Sequence, residues 1–275
     1  MAFELLDWVT CTACGEAQWE RLAYAPETVR CGACQSQYRV VDGILDLLPH
    51  GPHFRTPAQW TNFTWPVAWG YENLWRRRSL TLLSGEPFGF DRELALLDDW
   101  LAPEGPGLFV DLACSHGLYA RSLARSASVH GAPREIIAVD SSLRMLQQAG
   151  RRIRHENLGN VHLLCAEGEQ LPLRTASIDG MVCGGSLNEF KIPALVIQDA
   201  ARVLKPGAPF FSMHLLTAPT PLGRSAQQAA AAGGIHFWPA SDVHDMFAAQ
   251  GLDLERQAEF GLVAFALYRR QPHDQ

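Results

Sequence analysis

The chain has 275 residues, 47% of them hydrophobic and 19% charged. That profile excludes wholesale disorder and suits one sizeable core with a small appendage, because single cores stop growing near this length. With 23 Lys and Arg against 29 Asp and Glu, the formal charge of −6 argues against a general nucleic-acid binder, whose phosphate contacts demand clustered cations.

The chain opens on MAFELLDWVT, with acids at Glu4 and Asp7 and no basic stretch before its apolar residues, and it holds no uncharged apolar run long enough to span a bilayer. A cytoplasmic protein without a membrane span is the expectation. CTAC and CGAC follow, placing Cys11, Cys14, Cys31 and Cys34 in a C-x2-C, sixteen-residue, C-x2-C pattern. Two residues between cysteines let a tight knuckle present both sulfurs to one ion, and two such knuckles complete a tetrahedron. The competing reading, two disulfides, needs an oxidising compartment for which the sequence carries no targeting signal. With no His or carboxylate in ligand register, the pattern predicts a closed structural zinc site that helps fold a small module. Residues 1–50 carry seven acids and three arginines, so this module is a poor arm for gripping RNA.

YRVVDGILDLLP reads as a strand, a turn at Asp42-Gly43 and a closing apolar run. It completes the expected module at 1–50. A proline-bearing linker then leads into a segment dense in aromatics (Trp60, Phe63, Trp65, Trp69, Tyr71, Trp75) and three consecutive arginines, Arg76 to Arg78. The expectation for 51–90 is a linker and helical cap that packs against the core or covers an apolar substrate.

From residue 107 onward, strands and helices alternate. The strand candidates are GLFVDLA, EIIAVD, VHLLCA, IDGMVCG and PFFSMHLL, with helices expected over 117–127, 141–155, 189–204 and 240–250. Apolar runs interleaved with helices predict a mostly parallel sheet covered on both faces. The tail GLDLERQAEFGLVAFALYRR predicts a terminal hairpin turning near Gly261. Cys114, Cys165 and Cys183, each near the end of a predicted strand, fit small buried hydrophobes.

The loop after the first of these strands, DLACSHG, runs Asp111, Ala113, Ser115, His116, Gly117, where a nucleotide loop would read D-x-G-x-G-x-G. A dinucleotide would set its pyrophosphate against the acid at 111, whereas S-adenosylmethionine carries a sulfonium and an ammonium that the acid attracts. The charge at Asp111 favours S-adenosylmethionine. Asp140, ending the next strand, is placed to accept ribose hydroxyls, with Ser141 and Ser142 as cap candidates for the helix that follows.

AEGEQLPL followed by SID, and RVLKPGAPFF at 202–211, resemble the corresponding segments of class I S-adenosylmethionine-dependent methyltransferases, of the type 11-like domain, over about residues 90–270. The resemblance implies a Rossmann-like, seven-stranded, mostly parallel α/β sheet at 91–275. It further implies that Asp111 through Gly117 hold the methionine part and Asp140 the ribose. Glu167 and Gly168 would lie along the adenine, Cys183 to Ser186 would line the floor, and Tyr71 would cover the cofactor. The cysteine knuckles with VVDGILDLLP also resemble small zinc modules ahead of some bacterial methyltransferases, ribosomal-RNA guanine methyltransferases among them. The aromatic segment resembles plastid and cyanobacterial quinone-methylating enzymes.

His214, Glu189 and His116 are the candidates for a general base near the pocket mouth. The acidic charge and aromatic content point to a small, partly apolar acceptor such as a quinone or phenol. RNA, reached through local arginine patches, is the alternative acceptor. A degenerate fold serving as an interaction protein is the other reading, motivated by the missing glycines at 113 and 115.

Overall fold

A computed structural model describes residues 4–51, 76–102, 104–131 and 133–272, and the side chains of 76–79, 128 and 130 stand outside that description. The aromatic segment from Trp60 to Trp75, Tyr71 included, and the side chains of Arg76 to Arg78 therefore lie outside the described residues.

Five parallel strands form the centre of the sheet: β5 (Gly107–Leu112), β6 (Arg134–Asp140), β7 (Val161–Cys165), β8 (Gly180–Gly184) and β9 (Pro209–Leu215). Their near-continuous apolar runs, with all five residues of β7 buried, are what strands covered on both faces require. β10 (Leu252–Phe260) and β11 (Val263–Arg270) form the expected hairpin around Gly261, with β11 antiparallel to β9. The resulting seven strands run in the order β7-β6-β5-β8-β9-β11-β10. This is the Rossmann-like α/β arrangement of the class I methyltransferases.

The N-terminal residues extend this sheet. β1 (Trp19–Leu22), β2 (Ala25–Cys31), β3 (Gln37–Val41) and β4 (Ile44–Asp46) form an antiparallel meander. Asp42 and Gly43 turn β3 into β4 with φ of 53° and 81°, the doubly left-handed geometry that makes Asp-Gly a strong hairpin signal. β4 then pairs in parallel with β7, Leu45 opposite Leu164 and Asp46 opposite Cys165. Among the described residues the sheet is thus eleven strands long.

Helices cover the two faces separately. α1 (Arg76–Ser84), α2 (Phe90–Leu101), α3 (Leu118–His130) and α4 (Leu143–His155) flank one face, where Leu80, Leu97, Trp100, Leu123, Leu146 and Ile153 pack with Phe109, Ile136 and Phe211. On the other face α5 (Pro193–Val203) and α7 (Ala240–Ala248) bury Val196, Ile197, Ala200, Val243 and Phe247 in a core that also takes in Leu5, Val9, Val29, Leu45 and Leu47. The N-terminal strands therefore share a core with the sheet they extend. α6 (Pro221–Ala232) is different: none of its residues is buried. Thr220 caps it, its hydroxyl accepting from Gly223 N at 3.1 Å, and Pro221 occupies the first turn, where the missing N–H costs nothing. No helix among the described residues is long and apolar enough to cross a membrane.

Two motifs singled out by the sequence act as structural pins. Asp179 of SID accepts from Leu108 N at 2.9 Å and pairs with Lys205 Nζ at 2.6 Å, tying the start of β5 to the turn before β9. Arg202 donates to Leu171 O and Leu173 O, each at 2.8 Å, and so braces the Leu-Pro segment.

Candidate cofactor site and thiol cluster

β5 pairs with β6 on one side and β8 on the other. The chain order reverses between β5 and β8, and ligands of open α/β sheets sit in the crevice that such a switch leaves at the carboxyl ends of the strands. A cavity of about 510 Å³ opens there, within the range of sites that hold one cofactor-sized molecule.

The loop 111–117 forms its floor by an unusual backbone. Ala113 and Ser115 both adopt left-handed φ, 53° and 51°. These are the two positions at which a nucleotide loop would carry glycine, and the backbone keeps the glycine conformation without the glycine. A residue with a β-carbon held there is strained by about 1 kcal/mol or more, so the surroundings must over-determine it. They do so through Asp140, whose Oδ2 accepts from Ser115 N and whose Oδ1 accepts from Ser142 N, each at 2.8 Å. Gly117, at φ 75°, then starts α3. A β-carbon there would also press on that of Ala149 at 3.3 Å. The Ser115 hydroxyl turns to Met145 Sδ at 3.8 Å.

Asp111 is buried, and its Oδ2 accepts from Ala120 N at 2.8 Å in the first turn of α3. Burial, opposed by that hydrogen bond and reinforced by the charge of Asp140, pushes its carboxyl up to about 7. Asp140 is likewise pushed up to about 6, mainly by burial, against two backbone N–H donors that favour the ionised form. Both carboxylates are held where their charge is costly, and a cation in the cavity would relieve that cost.

Ser141, Glu167, Gly168, Glu169, Gly184, Ser186 and Glu189 line the cavity together with Asp111, Ala113, Ser115, His116 and Asp140. Glu169 has one carboxylate oxygen buried with no hydrogen-bond partner, and burial, with the charge of Glu167, raises its carboxyl to about 7. Buried polar atoms are normally satisfied, so an orphaned oxygen in a cavity wall marks a place for a ligand donor. The opposite wall is apolar, formed by Leu80, Leu83, Met213, Leu215, Phe237 and Leu262, and the underside of α6 closes it with Gly223, Ala226 and Ala230.

Two sequence-derived candidates stand elsewhere. His214 is fully buried on the opposite face of β9: Met213 and Leu215 on either side of it line the cavity, while His214 and Ser212 face the other way, the His214 Nδ1 atom 3.1 Å from the Ser212 hydroxyl. Burial, with a smaller contribution from His244, lowers its imidazole to about 4. It is a buried neutral histidine that does not line the cavity. Cys183 is turned away in the same manner, buried among the residues packed against α5, while Gly184 after it lines the cavity. Strand alternation, applied to FFSMHLL and GMVCG, was the signal that could have separated both from the site. Tyr71 lies outside the described residues.

Further contributors carry no sequence signal of their own. Tyr119 lines the cavity and donates to Glu93 Oε1 at 2.6 Å, in a pair buried between α3 and α2. Asn188 donates to Leu215 O and His236 O at 2.9 and 2.6 Å and accepts from Leu215 N at 2.8 Å, fixing the loop after β8 against the end of β9.

At the far edge of the sheet, the sulfurs of Cys11, Cys14, Cys31 and Cys34 lie within 4.8 Å of one another. The closest pairs join the two knuckles, Cys11 to Cys34 at 3.6 Å and Cys14 to Cys31 at 3.7 Å. Four thiolates around zinc at about 2.3 Å stand roughly 3.8 Å apart along the edges of their tetrahedron. The cluster therefore has the donor set and dimensions for one such ion. Cys11 and Cys31 are buried; Cys14 and Cys34 are exposed.

Comparison with known proteins agrees with the fold. Residues 109–207 match a family model described as a methyltransferase domain. An uncharacterized chloroplastic methyltransferase of Arabidopsis thaliana is 30% identical over 196 residues, 68% of this chain and 54% of its own. A ubiquinone/menaquinone biosynthesis C-methyltransferase of Syntrophotalea carbinolica is 31% identical over 138 residues, 49% of this chain and 55% of its own. The chain thus spans about half the length of these curated relatives. Of solved structures, a Haemonchus contortus phosphoethanolamine N-methyltransferase in complex with S-adenosylhomocysteine matches with a TM-score of 0.61 at 14% identity, covering 79% of this chain and 59% of that one. At that identity the likeness speaks for the fold alone.

Proposed function

From a chain that carries a methyltransferase domain, we propose an enzyme that moves the methyl group of S-adenosylmethionine to a small, partly apolar acceptor. The observation that carries this reading is a single cavity with two unlike walls: carboxylates and a left-handed loop on one side, aliphatic and aromatic side chains on the other.

Bound there, S-adenosylmethionine would supply a methyl carbon already activated by the positive sulfur. The remaining work is alignment and exclusion of water. Asp140 has each oxygen engaged by one backbone N–H, and a carboxylate has about four lone-pair sites, which leaves room for both ribose hydroxyls. Residues 113–117, with the charge of Asp111 behind them, face the methionine part, while Glu167 and Gly168 face the adenine. The apolar wall and the underside of α6 receive the acceptor. Glu189, on the loop after β8, and His116, in the cofactor loop, both line the cavity and are the groups to take a proton if the acceptor must lose one.

A quinone or phenol suits the apolar wall, and the quinone-pathway relative, which shares 31% identity, adds weight to that choice. RNA remains the alternative acceptor and is disfavoured by the charge of −6. The retained left-handed geometry at 113 and 115 argues against a degenerate fold. The cysteine cluster, we propose, holds one structural zinc ion, with its four sulfurs closed around it, in a reducing compartment such as the cytoplasm, where thiols stay available to the metal. We regard 1–50 as the zinc module, 51–90 as linker and cap, and 91–275 as the methyltransferase domain.

The test is transfer of methyl label from S-adenosylmethionine to a panel of demethylated quinones and phenols and, in parallel, to total RNA. Label in the lipophilic panel supports the proposal, label in RNA favours the alternative, and label in neither, with cofactor bound, overturns the acceptor class.

A further inference from the structure

The cysteine cluster and the cofactor cavity are joined by one short strap. Ala166, Glu167, Gly168 and Glu169 line the cavity. Three residues later the same segment meets the first knuckle: Thr10 N donates to Pro172 O at 2.8 Å, and Val9 bridges Leu173 in antiparallel fashion. Val9 precedes Cys11 by two residues, and its carbonyl accepts from the Trp19 indole N–H at 3.1 Å, which anchors it to β1. Leu171 and Leu173 are buried in the core that also holds Val9, Cys11 and Cys31.

The opposite side of the strap is held rigidly. Leu171 N donates to Asp199 Oδ2 at 2.5 Å, and Arg202 of α5 donates to the carbonyls on either side of Pro172. Pro172 O points the other way, to the knuckle. The strap thus has one fixed wall, α5, and one wall whose geometry depends on four thiols being drawn together. With the thiols apart, like-charged or protonated, Val9 keeps its bonds to Trp19 and Leu5, but the knuckle that follows Thr10 loses the ligation that would close it. With them closed on an ion, the turn is set.

We propose that Val9 and Thr10 are positioning residues for the cofactor site: occupancy of the four-cysteine cluster sets the seat of Glu167 to Glu169 and so the affinity for the cofactor. The inference rests on the reading of the cavity as an S-adenosylmethionine site and of the cluster as a zinc site. It gives the N-terminal strands a role in cofactor binding as well as in stability.

The test compares S-adenosylhomocysteine binding, measured by calorimetry, in zinc-loaded wild type and in zinc-loaded Thr10→Pro, which removes the one amide donor and leaves every cysteine in place. Zinc content and melting temperature are measured on both proteins, and hydrogen exchange is followed over 166–173. A loss of one strap hydrogen bond is expected to weaken binding by about fivefold at equal zinc content, with faster exchange over 166–173. Should Thr10→Pro fail to load zinc, Trp19→Phe, which deletes the indole donor to Val9 O and trims the ring packed against Tyr38, is read in the same way for an effect of about twofold. Unchanged affinity in a zinc-loaded variant with faster exchange overturns the coupling, as does unchanged exchange. Absence of any binding by zinc-loaded wild type would instead overturn the reading of the cavity itself.

Discussion

The two knuckles and the cofactor loop solve the same backbone problem with different chemistry. The second knuckle places an ordinary residue in left-handed backbone, Gln35 at φ 64° directly after Cys34, where the first uses Gly15 at 79°, and the loop does so with Ala113 and Ser115 at 53° and 51°. In the knuckles the four thiols and their ion would hold the turn. In the loop the holding group is Asp140, through Ser115 N, together with the start of α3 fixed on Asp111. The lesson is that glycine is not obligatory at such a turn: a multidentate partner, metal or carboxylate, can take its place.

Removing the partner should expose the difference. Stripping zinc with a chelator, or replacing buried Cys31 with serine, is expected to cost several kcal/mol and to lower the melting temperature well beyond any change made in the loop, because metal binding energy is folding energy. A calorimetric scan of stripped and reloaded protein checks this, and an unchanged melt would mean that the thiols are held by packing alone. Next in size, Tyr119→Phe leaves the buried Glu93 carboxylate without its phenol donor and should cost about 2 kcal/mol in urea unfolding.

The raised carboxyls of the loop predict a pH effect on cofactor binding. Asp111 and Asp140 sit at about 7 and about 6, above the usual carboxylate value. A carboxyl raised by folding stabilises the fold in acid and withdraws that support as pH rises toward its folded value. A cationic cofactor binds the ionised forms, so affinity should be full above about pH 7.5 and fall by about tenfold on acidification to pH 5.5. Calorimetric titration of S-adenosylmethionine across that range is the check; a flat profile would show that Asp111 and Asp140 stay ionised throughout. The smallest effect is the most specific to the loop: Ala113→Gly and Ser115→Gly should each stabilise the apo fold by about 1 kcal/mol by relieving strain. The same changes should leave cofactor affinity near its original value, since the Ser115 hydroxyl engages Met145.

Most of the central sheet was legible because its strands are buried on both faces and their apolar runs are unbroken. The hairpin at Asp42-Gly43, the cap at Ser142 and the cysteine spacing were readable for local reasons, each being set by a few neighbouring residues. Pairing between distant segments was not. Nothing in ILD or VHLLC announces that β4 adds to the edge of β7, because apolar composition gives burial without naming a partner. Nearness to a strand end for His214 and the family resemblance for Cys183 both point to the cavity, but the period-two alternation of the strand decides the face. α6 was visible only as an alanine run, since it lacks the buried stripe that marks a packed helix. The orphaned oxygen of Glu169 has no sequence signature at all.

Asp140 anchors the loop and, in the proposed function, the cofactor as well. Calorimetry of S-adenosylmethionine and S-adenosylhomocysteine with wild type and Asp140→Asn tests it most directly. The account predicts one site per chain for both ligands, with affinity lower by at least about tenfold in the variant, whose amide cannot accept from both backbone N–H groups and the ribose. Equal affinity in the two proteins, or no heat with either ligand in wild type, would contradict it.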